Sequence, residues 1–281
     1  MGCIRVETDS ALGIITLDDP AGGNRLHPEA LAALREGARV LVDDPGVRAV
    51  LLRSSGDPFC LGMDLERLGG ADDASRAAGI EGAVGDYVRL LDGIHDSPKP
   101  FIAAVEGAVK AGGVGLVSAC DVVVATERAS FELGEAFFGI IPANVLPFLL
   151  SVRIPLQKAR YLILTGRTLS AREALTVGIV DELLGEAEAE RGLRELLKRM
   201  WRTSPAAVAE AKSFTRELLG LDAGEAKSRA RRKLQEMLEG GEALGAVRSF
   251  NEGGTPPWFG KFRPSRPLLV SAGRSPQGGA P

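Results

Sequence analysis

Two glycine-containing segments could present backbone N–H groups to a reacting oxygen. The first, "DPFCLGMDL" (57–65), follows a β-rich run, and its Gly62 permits a turn that exposes the N–H of Met63. The second, "EGAVKAGGVG" (106–115), contains a glycine pair beginning at Gly112 that opens a predicted helix, whose free N–H groups and dipole favour negative charge. Paired donors of this kind form an oxyanion hole. Each segment alone is more typical of an ordinary strand-to-helix turn.

The acid or base that such a site needs must come from elsewhere in the chain. The run "KAGGVGLVSACD" has no acidic or basic side chain between Lys110 and Asp121. Glu135, in "FELGEAFFGIIP", stands between apolar residues, and burial would raise its pKa and suit it to proton transfer near neutrality. The alternative for Glu135 is an exposed glutamate at a helix start. The two histidines lie near no motif serine, which argues against a Ser-His-Asp hydrolase.

The elements that must position these groups alternate between strand and helix patterns. Apolar spacing and turn residues predict strands, in order, at 13–19, 47–55 and 100–107, and helices at 27–44 and 87–97. This alternation predicts an α/β core built from repeated units. The Ala-, Gly- and Asp-rich stretch 71–86 is interpreted as a mobile surface segment leading into a helix.

The C-terminal third has a different pattern. From about residue 191 the sequence is purely helical, and from residue 264 it is rich in Pro, Gly and Ser. We therefore predict a core over 1–190, a helical region over 191–263 and a disordered tail over 264–281.

Composition narrows the function classes. The chain has 281 residues, 45% of them hydrophobic, and a net charge of −3, which argues against binding to nucleic acid or to an anionic membrane. No apolar window is long enough to predict a membrane span or a signal peptide. Three scattered cysteines form neither a disulfide framework nor a cysteine-based zinc site, so we expect a cytoplasmic protein without a metal.

Four motifs in fixed order carry a family resemblance: "PFCLGMDL", "GAVKAGGVGLVSACD", "FELGEAFFGIIP" and "TGRTLSAREALTVGIVDE". Together they resemble the crotonase superfamily of enoyl-CoA hydratases and isomerases, from Ile14 to Phe262. The resemblance implies an α/β spiral of ββα units, with a C-terminal helical region that packs a homotrimer or a dimer of trimers. It also implies an acyl thioester, carried on coenzyme A or an acyl carrier protein, whose carbonyl lies between the N–H groups of Met63 and Gly112.

Hydratases of this family usually carry one glutamate after the glycines and a second in the next motif. The first position is Gly115 here, and the second is Glu135, which the resemblance makes the catalytic carboxylate. By position, the resemblance also suggests contacts with the acyl group or its carrier for Arg25, Leu26, Asp64, Lys110, Asn144 and Lys261. A surface lysine and a loop-capping asparagine are equally typical of positions 110 and 144. No cofactor beyond the phosphopantetheine arm is implied.

Within the superfamily, Gly115 and the run "PANVLPFL" are similar to the dehydratases of polyketide β-branching cassettes. Those enzymes dehydrate a 3-hydroxy-3-methylglutaryl thioester on an acyl carrier protein to the 3-methylglutaconyl thioester. The implied mechanism has Glu135 take the α-proton, with Met63 and Gly112 holding the enolate, and then protonate the leaving hydroxyl. A Δ3,Δ2-enoyl-CoA isomerase, an enoyl-CoA hydratase and a non-catalytic scaffold are the alternatives.

Overall fold

Strands and helices alternate along the first two thirds of the chain, in a computed structural model that describes residues 2–68 and 73–270. Its strands are β1 (Ile4–Asp9), β2 (Leu12–Leu17), β3 (Ala49–Ser54), β4 (Phe101–Val105), β5 (Ala108–Lys110), β6 (Val122–Thr126), β7 (Ser130–Glu132), β8 (Leu169–Ser170) and β9 (Glu182–Leu184). Its helices are α1 (Pro28–Asp43), α2 (Asp73–His95), α3 (Gly112–Ser118), α4 (Leu146–Val152), α5 (Leu156–Thr165), α6 (Ala171–Val177), α7 (Ala189–Met200), α8 (Pro205–Glu217), α9 (Ala223–Glu239) and α10 (Glu242–Asn251). The α/β prediction is confirmed.

The described part of the chain forms two compact units, unit 1 (the described residues within 1–195 and 263–270) and unit 2 (residues 196–262). In unit 1 a six-stranded sheet has the order β1-β2-β3-β4-β6-β9, with β1 antiparallel to β2 and the other neighbours parallel. Every residue of β2, β3 and β4 is buried, as expected for parallel strands covered on both faces. The strands predicted at 13–19 and 47–55 correspond to β2 and β3.

A second, three-stranded sheet in unit 1 has the order β5-β7-β8 and positions the candidate chemistry. β5 and β7 run parallel, with Lys110 opposite Glu132. Each strand is followed within a few residues by a helical turn: Gly112 begins α3, and Glu135 begins a short 3₁₀ helix, Glu135–Phe138. Because parallel strands end at the same edge of a sheet, the glycine and the glutamate are brought to one place.

Unit 2 contains helices α8, α9 and α10, which confirms the helical pattern predicted for this part of the chain. Ser204 and Asp222 cap the N-termini of α8 and α9 with their side-chain oxygens. Trp201 packs on Phe262 with ring centroids 4.7 Å apart. Across the described residues of both units, no helix is long and apolar enough to cross a membrane.

The helix expected to follow the surface segment 71–86 begins earlier in the structure and includes most of that segment. Residues 69–72 lie outside the described residues, and from Asp73 onward the chain is already helical as α2. Ala83, Tyr87, Leu90 and Leu91 of this helix are buried in the core. Their spacing of three and four residues stabilises the helix through packing on one face, which outweighs the glycines in the sequence.

The predicted tail also differs, because residues 264–270 are held against unit 1. Leu268 and Leu269 are 0% and 2% exposed, and their N–H groups donate to the Glu190 carboxylate at 2.9 Å. The guanidinium of Arg53 donates to the carbonyls of Pro267 and Leu268 at 2.9 and 2.8 Å. Two apolar side chains and paired backbone groups therefore fix a segment whose composition suggested disorder, while residues 271–281 lie outside the described residues.

Leu268→Ala tests the contribution of this strap, residues 264–270. Removing a fully buried leucine side chain is expected to lower the free energy of unfolding by about 2–4 kcal/mol. Val40→Ala is the control, because Val40 is 45% exposed and its truncation should change stability by no more than about 0.5 kcal/mol. Urea unfolding of both variants gives the comparison, and equal stability of the two would contradict the observed burial of the strap.

Candidate active site

The loop carrying Met63 is hydrogen-bonded to a different backbone segment on each side. On one side, the N–H of Cys60 donates to Ala108 O at 3.1 Å. On the other, Leu26 donates to Gly62 O at 2.8 Å and accepts from the Asp64 N–H at 3.4 Å. In a parallel bridge of this kind the central residue, Met63, points its own N–H away from Leu26.

Gly112 supplies a second N–H at the same place. It is the first residue of α3, so its N–H has no acceptor within the helix. A Cβ atom on Gly112 would lie 3.4 Å from the Met63 nitrogen, and a Cβ on Gly62 would lie 2.8 Å from the Gly112 nitrogen. Gly62 has a φ of +87°, which together with this close approach explains why glycine stands there. The two amides are neighbours, as an oxygen-binding pair requires.

Both amides lie at the wall of a cavity of about 640 Å³ in unit 1. Most of its walls are apolar, and it is lined by Met63, Leu65, Ile80, Val84, Tyr87, Ala111, Gly112, Glu135, Ile140, Ile141, Pro142, Ala143, Asn144 and Val145. Polar side chains come from Tyr87, Glu135 and Asn144. Of the described residues that line it, none is a lysine, arginine or histidine. The cavity therefore suits an acyl chain, with few groups to orient it.

Glu135 projects into this cavity from the start of its 3₁₀ helix and is 8% exposed. Its Oε2 atom is buried and has no hydrogen-bond partner among the described residues. Burial raises the pKa of Glu135; a hydrogen bond from its own N–H lowers it, and the negative charge of Glu132 raises it again. A buried carboxylate with a free oxygen and a raised pKa is suited to accept a proton from a bound molecule near neutrality.

The position that would carry a second carboxylate is occupied by another side chain. A Cβ atom on Gly115 would overlap the hydroxyl oxygen of Tyr87 and lie 3.0 Å from Val145 Cγ2. The Tyr87 hydroxyl donates to Gly112 O at 2.6 Å. Sequence reasoning missed Tyr87, because a tyrosine on the apolar face of a helix has the pattern of an ordinary core residue.

Lys110 and Asn144, both predicted as substrate contacts, have different surroundings. The Lys110 ammonium forms an ion pair with Glu132, at 3.3 Å from each carboxylate oxygen, and does not line the cavity. The hydroxyl of Thr168 also donates to Glu132. Asn144 does line the cavity, so of these two residues the structure brings only Asn144 to the site.

The other predicted contacts are not brought into the cavity. Leu26 is 1% exposed and meets the Met63 loop through its backbone. Asp64 lies beside the guanidinium of Arg67, at 3.3 Å. Arg25 is exposed and precedes Leu26, the residue that pairs with the Met63 loop. Lys261 is an exposed residue of unit 2. Their proposed contacts with the acyl carrier stay predictions.

Comparisons with known proteins cover most of the chain. A family model described as enoyl-CoA hydratase/isomerase matches residues 7–261. A carnitinyl-CoA dehydratase of Salmonella typhi is 32% identical over 252 residues, which cover 88% of this chain and 94% of that protein.

Solved structures extend the agreement to the fold. The crystal structure of an enoyl-CoA hydratase from Mycobacterium smegmatis matches with a TM-score of 0.84 and 27% identity, covering 92% of this chain and 99% of that one. An enoyl-CoA hydratase/isomerase from Marinobacter aquaeolei matches with a TM-score of 0.82 and 28% identity, covering 92% and 100%. The predicted crotonase fold is confirmed.

Glu135→Gln is expected to stabilise the folded protein at neutral pH. Folding raises the pKa of this carboxyl, so the carboxyl binds its proton more tightly in the folded state. The free energy of unfolding of the protein therefore falls as the pH rises from the unfolded-state pKa through the folded-state pKa. The amide has the same shape and does not ionise. The melting temperature of the variant should exceed that of the wild type above the folded pKa, and the advantage should shrink as the pH falls from the folded pKa towards the ordinary glutamate value and be lost below that value.

Glu132→Gln is the control for this measurement, because Glu132 has partners in Lys110 and Thr168. Its loss should lower the melting temperature at neutral pH. A Glu135→Gln variant that is destabilised like Glu132→Gln at neutral pH would show that the Glu135 carboxylate is satisfied in solution.

Proposed function

The chain belongs to the enoyl-CoA hydratase/isomerase family, and from this membership we propose that it dehydrates a 3-hydroxyacyl thioester through an enolate. The observation that carries the proposal is the buried oxygen of Glu135, which has no hydrogen-bond partner among the residues that the structure describes, in the same cavity as Met63 and Gly112. Because the Tyr87 hydroxyl takes up the space beside Gly115, Glu135, the one carboxylate among the described residues that line the cavity, must remove the α-proton and assist departure of the hydroxyl.

In the first step the thioester carbonyl oxygen accepts hydrogen bonds from the backbone N–H groups of Met63 and Gly112. Glu135 removes the α-proton, and the C–H electron pair forms the Cα=C bond of the enolate while the carbonyl oxygen becomes negative. Each N–H is worth roughly 3 kcal/mol of barrier, because the donors are fixed before the charge develops.

In the second step the enolate collapses. Its electron pair returns to form the Cα=Cβ bond, the bond between Cβ and the hydroxyl oxygen breaks, and the proton held by Glu135 passes to that oxygen as water leaves. Glu135 ends as the carboxylate that began the cycle. Since the same group receives and returns the proton, elimination takes place on one face of the substrate.

For the acyl group, we propose 3-hydroxy-3-methylglutaryl on an acyl carrier protein or on coenzyme A. The support is the glycine at position 115 and the "PANVLPFL" run, both similar to polyketide β-branching dehydratases. The relative named carnitinyl-CoA dehydratase is named for the same class of elimination. Within the described cavity wall, the Asn144 amide is the side-chain group that can donate to the distal carboxylate of this substrate.

We further propose that the chain assembles as a homotrimer or a dimer of trimers. Large apolar side chains exposed in each unit support association. In unit 1 they include Phe137, Phe138, Ile141 and Leu164, which are 67–80% exposed, and in unit 2 they include Leu219, Leu234, Val247 and Phe250, which are 56–63% exposed.

A Δ3,Δ2-enoyl-CoA isomerase is the second candidate, and the single carboxylate favours it too. Glu135 could carry a proton from the α-carbon to the γ-carbon without any loss of water. An enoyl-CoA hydratase would run the proposed elimination in reverse.

Mass spectrometry of the acyl chain separates these functions. Incubation with 3-hydroxy-3-methylglutaryl thioesters, on coenzyme A and on a carrier protein in parallel, should give the product that has lost one water. A 3-enoyl-CoA that becomes the 2-enoyl isomer at unchanged mass, detected by the ultraviolet absorbance of the conjugated thioester, with no dehydration of any 3-hydroxyacyl thioester, would overturn the dehydratase in favour of the isomerase. Thioester binding without either reaction would support a scaffold.

The pH profile tests the role of Glu135. We expect Glu135→Gln to lower kcat/KM at least 100-fold, because no other carboxylate of the described cavity wall can take the proton. In the wild type, kcat/KM should rise with pH as the raised pKa of Glu135 is passed.

Glu132→Gln removes the neighbouring negative charge that contributes to this raised pKa, so the acid limb of the profile should move to lower pH. An unchanged profile, or full turnover by Glu135→Gln, would assign the proton transfer to another group.

A further inference from the structure

We propose that Tyr87 is a positioning residue that holds Gly112 in the orientation needed to bind the oxyanion, an inference that rests on the proposed function. Tyr87 lies on α2, is 2% exposed and lines the cavity. Its hydroxyl donates to the carbonyl oxygen of Gly112, the residue proposed to supply the second oxyanion N–H, at 2.6 Å. It thus acts on the reacting oxygen through Gly112.

The start of α3 needs such an anchor. α3 spans only seven residues and has no side-chain hydrogen bond at its N-cap among the described residues. The N-cap, Ala111, has φ +48° and ψ −120°, a conformation that L-residues seldom adopt. Strained backbone of this kind persists only where its surroundings hold it in place. The Ala111 N–H is bound to Glu132 O at 2.9 Å, and the Tyr87 hydroxyl fixes the next residue.

The hydroxyl is suited to act as a permanent donor. Burial raises the pKa of Tyr87 well above its usual range, and the nearby Cys60 and Glu135 add to the effect. The phenol therefore stays protonated while Glu135 gains and loses its proton. Because the bond from the Tyr87 hydroxyl to the Gly112 carbonyl oxygen is buried, it is stronger than a bond exposed to water and fixes the position of Gly112 more firmly.

The same hydroxyl explains the glycine at position 115. A Cβ there would overlap Tyr87 Oη and lie 3.3 Å from Tyr87 Cζ. A side chain at position 115 and the Tyr87 hydroxyl therefore compete for one volume. In this chain the space that a second carboxylate would need is used to anchor the Gly112 donor.

Tyr87→Phe keeps the ring and removes the anchor. We expect kcat to fall about 10- to 100-fold with KM changed less than about threefold, because the acyl chain still binds while one oxyanion donor loses its alignment. Tyr161→Phe is the matched control, since Tyr161 is the other tyrosine of the chain and is 47% exposed. Its kcat and KM should equal those of the wild type.

Infrared difference spectroscopy reads the alignment directly. Hydrogen bonds from Met63 and Gly112 should move the carbonyl stretch of a bound, unreactive saturated acyl-CoA to lower frequency. The shift should be smaller in Tyr87→Phe and unchanged in Tyr161→Phe. A full shift together with wild-type kcat in Tyr87→Phe would overturn the role of Tyr87 and leave the proposed function intact. If the wild type itself shows no shift, the oxyanion assignment and the role of Tyr87 both fail.

Gly115→Ala, made in the wild type and in Tyr87→Phe, tests the geometry independently. The new methyl group meets the hydroxyl oxygen in the first background, whereas in the second the nearest remaining atoms are Val145 Cγ2 at 3.0 Å and the ring carbon Cζ at 3.3 Å. The loss of melting temperature caused by Gly115→Ala should therefore be smaller in the Tyr87→Phe background. Equal losses would show that the hydroxyl does not occupy this volume.

Discussion

The close approach of two backbone segments, the Met63 loop and the start of α3, is the constraint on which the rest of the site depends. The loop is held by hydrogen bonds on both sides, to the Leu26 segment and to β5. These bonds fix the orientation of the Met63 N–H, which points away from Leu26. The approach leaves no room for side chains. A Cβ at Gly113 would lie 2.5 Å from Cys60 O, and one at Gly62 would lie 2.8 Å from the Gly112 nitrogen. Glycine is therefore required at positions 62 and 113 because the two backbones are in direct contact there.

Burying the Glu135 carboxylate lowers the stability of the folded protein at neutral pH. Glu135 has a buried oxygen without a partner in the part of the chain that the structure describes, whereas the neighbouring Glu132 is satisfied by Lys110 and Thr168. The two carboxylates lie only three positions apart in the sequence, yet Glu132 is paired with a cation and a hydroxyl, whereas burial raises the pKa of Glu135 and leaves it ready to take a proton. Such a division is typical of a site in which one group reacts and its neighbour supports the fold.

The sequence was a good guide wherever local pattern decides the structure. Periodicity predicted β2, β3, α1 and the C-terminal helices, and motif order predicted the fold. It failed where distant segments meet. Nothing near Tyr87 in the sequence indicates that its hydroxyl reaches Gly112, and nothing near Lys110 indicates that β5 and β7 pair it with Glu132. The strap was misjudged because proline and serine dominate its composition, while Arg53 and Glu190, far away in the chain, hold it.

The central claim is that one buried carboxylate and two backbone amides generate an enolate from a bound acyl thioester. The most direct measurement is exchange of the α-hydrogen with D₂O, using a saturated acyl-CoA that has no hydroxyl to eliminate and no double bond to move. Mass spectrometry should show that the wild type introduces deuterium at the α-carbon and that Glu135→Gln does not. Absence of exchange in the wild type, or equal exchange in the two proteins, would contradict the account.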